Sequence, residues 1–70
     1  MKPKEPIPLT PRKLEIIKLI SEGYSYKEIA VKIFLSKHTV DKHVKQALAI
    51  MGAKSNSQLV ATALRNNWIP

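Results

Sequence analysis

The sequence predicts an all-α, four-helix domain, and three observations lead to this prediction. No segment alternates apolar and polar residues with the period of two typical of a half-buried strand. Apolar residues instead recur three and four positions apart, as on one face of a helix. Each such segment follows a serine or threonine that can cap a helix. We therefore expect helices near 11–22, 26–33, 37–51 and 56–66.

The first predicted helix begins after Thr10, with Pro11 at its first helical position. A threonine hydroxyl caps the helix, and proline is tolerated next because its missing N–H would be unpaired there anyway. Gly23 is placed to end the helix in the left-handed conformation. The prolines in residues 1–8, before this helix, predict a flexible arm, so the folded domain is expected over 9–70. The apolar face of this helix comprises Ile16, Ile17, Leu19 and Ile20.

The second predicted helix is short and begins with a capping box. Ser25 and Glu28 are three residues apart, so each side chain can accept a hydrogen bond from the other's free backbone N–H. The fourth helix begins in the same way, with Ser55 and Gln58. The inward face of the second helix comprises Ile29, Ala30 and Ile33, and the fourth helix runs through Leu59, Val60, Ala63 and Leu64.

The third predicted helix has one apolar and one polar, mainly basic face. Ser36 caps its start and Gly52 ends it. The apolar stripe comprises Val40, Val44, Ala47, Leu48 and Met51. The opposite face comprises Lys37, His38, Asp41, Lys42, Lys45 and Gln46. We expect the first face to pack on the domain and the second to face a ligand.

Composition argues against an enzyme, a metal site and a membrane protein. The chain has no cysteine, and its acidic residues are scattered. His38 and His43 are rotated by about 140° on a helix, so they do not converge on a metal. The longest apolar run, residues 47–51, and the run at 33–35 are far below the roughly 20 residues of a membrane span. We expect no catalytic residues, metal, cofactor or membrane, and a cytoplasmic, nucleoid-associated protein.

The charge distribution and the helix order together indicate a DNA-binding domain. The net charge is +7, and after Ser36 the only acidic residue is Asp41. A short helix, a three-residue joint at 34–36 and a longer basic helix form a helix-turn-helix. The major groove admits one α-helix, and phosphates line both of its sides. Double-stranded DNA is therefore the expected partner.

The sequence resembles the LuxR-type (GerE/FixJ/NarL-like) DNA-binding domain over about residues 9–67, without a gap. The matching segments are Leu9-Thr10-Pro11-Arg12, Glu15-Ile16-Ile17-x-Leu19-Ile20-x-x-Gly23, Ser25-Tyr26-Lys27-Glu28-Ile29-Ala30, Ile33-Phe34-Leu35-Ser36-x-x-Thr39-Val40-x-x-His43-Val44, Leu48, Met51-Gly52-Ala53-Lys54-Ser55 and Leu59-Val60-x-x-Ala63-Leu64. Four positions depart from the family pattern. They are Asp41 and Asn56, where a basic residue is usual, Ile50 in place of lysine, and Met51 in place of leucine.

The resemblance implies a sequence-specific transcriptional regulator whose third helix lies in the major groove. It also implies that the fourth helix pairs two copies on dyad-related half-sites. The implied base contacts are Asp41, Lys42 and Lys45, and the implied phosphate contacts are Tyr26, Lys27, Thr39, His43 and Lys54. The implied dimer contacts are Val60, Ala61 and Leu64. RNA polymerase or another regulator is a further partner that this function would allow.

The residues by themselves leave other interpretations open. Thr39 and His43 could serve local structure, and Lys42 and Lys45 could be only solvated. Val60, Ala61 and Leu64 could be edge core. The helix-turn-helix could serve viral DNA packaging or transposition, or the domain could bind an acidic protein. The chain could be a complete regulator or the output domain of a larger one.

Overall fold

The computed structural model describes residues 7–70, which form four helices. They are α1 (Pro11–Ser21), α2 (Tyr26–Ile33), α3 (Lys37–Met51) and α4 (Asn56–Arg65). Residues 7–70 contain no strand, so the predicted all-α class is confirmed. Every helix begins at the predicted residue, whereas α1 and α4 each end one residue earlier than predicted. Of the predicted arm over 1–8, residues 1–6 lie outside the described part of the chain.

The predicted caps hold the helix starts. The Thr10 hydroxyl accepts from Lys13 N at 3.2 Å, and the Ser36 hydroxyl accepts from Thr39 N at 3.0 Å. The box at α2 is complete: Ser25 N donates to Glu28 Oε1 at 2.9 Å, and Glu28 N donates to the Ser25 hydroxyl at 3.1 Å. The Ser25 backbone N–H, and after it the Ser25 hydroxyl, lower the pKa of the Glu28 carboxyl, because a hydrogen bond to the carboxylate favours its charged form.

The predicted capping box at α4 is displaced by one residue. The Ser55 hydroxyl accepts from Gln58 N at 3.1 Å, as expected. Gln58 Oε1, however, accepts from Lys54 N at 2.7 Å and not from Ser55 N. The longer glutamine side chain thus satisfies an N–H one residue before the cap and fixes the loop between α3 and α4.

Removing the Ser25 hydroxyl should destabilise the domain measurably. Ser25→Ala leaves the Glu28 N–H without its acceptor, so we expect a loss of about 1 kcal/mol in the free energy of unfolding. Urea denaturation followed by circular dichroism measures this loss. Ser57→Ala, on an exposed serine one residue inside α4, is the matched control and should change the free energy by less than about 0.5 kcal/mol. Equal effects of the two substitutions would contradict the capping role.

The helix ends show one feature that the sequence did not indicate. Gly23 and Gly52 have φ values of 95° and 62°, as expected of residues that end helices. Phe34 ends α2 in the same left-handed conformation, with φ 60°, although it has a Cβ. Leu35 N then donates to Ala30 O at 3.0 Å, which closes the turn. The turn between α2 and α3 therefore places a phenylalanine with 93% of its surface exposed at the tip.

Two apolar clusters form the core, and α3 contributes to both. The first joins α1, α3 and α4, and its buried members are Leu9, Ile17, Ala47, Leu59, Ala63 and Ile69. The second joins α1, α2 and α3, and its buried members are Ile16, Ile29, Ala30, Ile33, Val40 and Val44. Leu48 packs against both clusters. The predicted apolar stripe of α3 is therefore the shared centre of the core.

Leu14 and Trp68 pack at the edge of the core. Leu14, which does not fall on the main apolar stripe of α1, is half-buried against the first cluster, and Trp68 covers the rim of that cluster. Among residues 7–70, every helix is too short or too polar to cross a membrane.

Candidate nucleic-acid interface

The α2–turn–α3 unit fixes which face of α3 is exposed. Ile29 and Ile33 of α2 pack in one buried cluster with Val40 and Val44 of α3. Leu35, in the three-residue joint, is half-buried against the same cluster. Since α3 cannot rotate about its axis without exposing these side chains, its polar face is directed away from the domain.

Five of the predicted site residues form a shallow pocket along α3. The pocket has a volume of about 340 Å³ and is lined by His38, Thr39, Lys42, His43 and Gln46. His38, Lys42 and Gln46 are exposed, whereas Thr39 and His43 are half-buried at its base. The pocket is therefore polar and cationic at its rim, as a surface that meets nucleic acid should be.

The start of α3 forms a second depression together with the start of α2. It is lined by Tyr26, Lys37, His38 and Asp41. Asn56 Nδ2 donates to the Tyr26 hydroxyl oxygen at 2.7 Å, so α4 holds the tyrosine in place beside α3. Tyr26 is thus brought to the predicted site by a contact between residues 30 positions apart.

Lys27 and Lys54 lie apart from these two depressions. Lys27 is exposed and lines a separate hollow on α2 with Tyr24, Glu28, Val31 and Lys32. Lys54 is exposed in the loop before α4, where its backbone N–H is held by Gln58. Both lysines are exposed, and neither lines the two depressions along α3.

Ion pairing divides the cations of α3 into two groups. Lys45 Nζ lies 3.0 Å from Asp41 Oδ2, one helical turn away, so each charge partly neutralises the other. Within residues 7–70 the other ion pair joins Arg12 to Glu15 on α1. Lys37 and Lys42 form no ion pair in this part of the chain and can pair with an anionic ligand.

Thr39 has a local structural role. Its hydroxyl lies 2.9 Å from the Ser36 hydroxyl, while its backbone N–H donates to the same Ser36 oxygen. The hydroxyl pair stiffens the first turn of α3, directly below the pocket. Helix support and ligand contact are compatible here, since a hydroxyl can donate one hydrogen bond and accept others.

The structure also reveals a residue that the sequence analysis missed, Lys13. Its side chain is buried, with 8% of the residue exposed, and its Nζ lies 3.3 Å from Nδ1 of His43. Burial lowers the pKa of His43, and the cations Lys13, Arg12 and Lys42 lower it further. The position of Lys13 in the chain could have indicated its burial, because it shares the helical stripe of Ile16, Ile17 and Ile20.

Of the three predicted dimer contacts on α4, two are exposed and one packs partly on the core. Val60 is half-buried against the first core cluster. Ala61 is exposed, and Leu64 has 44% of its surface exposed. Leu64 thus gives α4 an apolar surface that the described part of the chain leaves open to solvent.

The described residues hold no cluster of three or more histidine, cysteine, aspartate or glutamate side chains that could bind a metal ion.

Residues 7–63 match the model of the family described as bacterial regulatory proteins, luxR family. The chain belongs to the LuxR family. This confirms the resemblance, and the chain is a helix-turn-helix DNA-binding domain of that family of bacterial regulatory proteins. The family comprises regulators and not enzymes.

This LuxR-family chain is also similar to curated relatives. It is 46% identical over 61 residues to the oxygen regulatory protein NreC of Staphylococcus aureus strain JH9, and equally similar to that of strain JH1. The match covers 87% of this chain and 28% of NreC. The chain therefore spans less than a third of the length of these relatives.

Proposed function

We propose that this LuxR-family domain binds double-stranded DNA sequence-specifically, with α3 in the major groove, and regulates transcription as a homodimer. The observation that carries the proposal is the exposed polar face of α3. Buried Val40, Val44 and Ala47 direct that face outward, and Lys37 and Lys42 on it form no ion pair within residues 7–70. A helix with one anchored face and one cationic face fits the width of the groove and the phosphates beside it.

Base contacts in this proposal come from the side chains in the middle of the exposed face. Lys42 is exposed and lies at the rim of the pocket, so it can reach guanine acceptors. Asp41 and Lys45 act as a pair, in which the lysine orients the carboxylate toward a cytosine amino group. Lys37, His38 and Gln46 flank these three residues and contact the groove edges.

Phosphate contacts in this proposal surround the base contacts. Thr39 and His43 lie at the base of the pocket, and Tyr26 lies beside the start of α3. Lys27 and Lys54 reach the backbone from the edges of the site. The free N–H groups at the start of α3 add partial positive charge near the phosphates.

Dimerisation supplies the affinity that one copy lacks. Non-specific binding by one domain has a dissociation constant on the order of 10⁻⁴–10⁻⁶ M at physiological salt. In our proposal, Val60, Ala61 and Leu64 pack against the same residues of a second copy, and the two α3 helices meet dyad-related half-sites. RNA polymerase or another regulator is the further partner, and the cytoplasmic nucleoid is the place of action.

Salt dependence of binding tests the proposed function. If each copy neutralises about 4 phosphates, the logarithm of the binding constant should fall with a slope of about −3.6 per copy against the logarithm of salt concentration. Fluorescence anisotropy with a labelled mixed-sequence duplex measures this slope. Absence of salt-dependent duplex binding would contradict the proposal and favour a protein-interaction module.

A further inference from the structure

The contact between Lys13 and His43 joins α1 to the proposed DNA-binding face. Lys13 Nζ lies 3.3 Å from His43 Nδ1, across a separation of 30 residues. The lysine stem is buried, so the ammonium group is fixed at this place and is not free to sample the surface. Nδ1 of His43, a residue that lines the α3 pocket, is thus hydrogen-bonded to a buried lysine.

The chemistry of lysine determines which protons His43 carries. An ammonium group has three N–H donors and no acceptor lone pair. Nδ1 of His43 must therefore accept, which leaves the imidazole neutral with its proton on Nε2. The charged groups that act on His43 are all cations, namely Lys13 and Arg12 from α1 and Lys42 from α3, so they too favour the neutral ring.

The other ring nitrogen of His43, Nε2, is the one that remains for a ligand. Among residues 7–70, no buried side-chain nitrogen or oxygen lacks a hydrogen-bond partner. Since His43 uses Nδ1 for Lys13, its Nε2–H is open to solvent at the pocket formed with Thr39 and Lys42. An N–H at this place can donate to a phosphate oxygen.

We propose that Lys13 is a positioning residue that holds the His43 imidazole neutral and presents its Nε2–H to a DNA phosphate. The inference rests on the proposed function, because it takes the pocket of α3 as a DNA contact. It adds that Lys13, a buried residue outside the helix-turn-helix, determines that Nε2 of His43 carries the proton donated at that contact. DNA affinity should therefore not vary with His43 ionisation between about pH 6.5 and about pH 8.

Two substitutions of Lys13 test this inference by nuclear magnetic resonance titration of His43 in the unbound protein. Lys13→Met keeps the apolar stem and removes the ammonium group, so the pKa of His43 should rise toward its ordinary value. Lys13→Glu places a carboxylate that accepts from Nδ1–H, so the pKa should rise above its ordinary value. Lys18→Met, an exposed lysine about 140° around α1 from Lys13, is the control and should leave the pKa unchanged. An unchanged pKa in Lys13→Met would overturn the inference.

The pH profile of DNA binding gives the second readout. In Lys13→Glu, the neutral ring carries its proton on Nδ1 and turns the Nε2 lone pair toward the phosphate. Its affinity for a mixed-sequence duplex should fall roughly tenfold from about pH 6 to about pH 8, the effect of one hydrogen bond to a charged group. The unmodified protein and Lys18→Met should show a smaller fall, because their His43 remains a neutral Nε2–H donor, and His38 in the same pocket is common to all three proteins. Equal pH profiles in all three would overturn the inference.

The titration and the binding assay separate the two proposals. If the unmodified protein does not bind duplex DNA, the proposed function fails and this inference fails with it. If it binds DNA but the Lys13 variants leave the His43 pKa and the pH profile unchanged, only the role of Lys13 is wrong.

Discussion

Lys42→Glu is expected to weaken binding to duplex DNA on the order of 10- to 100-fold. The substitution reverses an exposed charge at the rim of the α3 pocket, and within residues 7–70 no ion pair compensates it. A lost base contact accounts for about 1–3 kcal/mol, and repulsion of the nearby phosphates adds to it. Fluorescence anisotropy at moderate salt measures the change.

Lys18→Glu is the matched control for this prediction. It changes the net charge by the same amount at an exposed lysine of α1, away from both depressions of the site. We expect less than about a threefold effect, because screening at moderate salt weakens the influence of a distant charge. If the two variants bind DNA equally weakly, net charge and not the face of α3 determines affinity, and the proposed interface is wrong.

Ile29→Ala is expected to cost about 2–5 kcal/mol in the free energy of unfolding. Ile29 is fully buried in the cluster that joins α2 to α3, and a side chain truncated there leaves a cavity. At about 0.05–0.15 kcal/mol per residue, a domain of this size has little stability to lose. We therefore expect the ratio of unfolded to folded protein at 25 °C to rise by a factor of about 30 or more.

Val31→Ala provides the comparison within the same helix. Val31 has 73% of its surface exposed, so its truncation leaves no cavity. The free energy of unfolding should change by less than about 0.5 kcal/mol. Urea denaturation followed by Trp68 fluorescence measures both variants. Similar losses at Ile29 and Val31 would contradict the observed orientation of α2.

The helices were predictable because their local chemistry agrees with their tertiary packing. Thr10, Ser25, Ser36 and Ser55 are all caps in the structure, and the apolar stripes of α2 and α3 are buried as expected. Helix starts are encoded within four residues, so the sequence specifies them well. Helix ends are encoded more weakly, which is why α1 and α4 each end one residue early.

The site was only partly predictable, since several of its contacts join distant segments. The Tyr26–Asn56 and Lys13–His43 contacts each span 30 residues, and no local pattern reports such a pairing. The left-handed Phe34 was missed for another reason. Glycine is the usual residue at such a helix end, so a phenylalanine gave no indication of the turn geometry.

Selection of bound sequences from a randomised duplex pool tests the central claim most directly. The unmodified protein should enrich one dyad-symmetric motif, and Lys42→Ala combined with Lys45→Ala should lose it. Leu64→Asp should retain preference for a single half-site and lose the fixed spacing between two half-sites, because it places a charge in the proposed dimer contact. Enrichment of no sequence, with residual binding that disappears at moderate salt, would contradict sequence-specific recognition by α3.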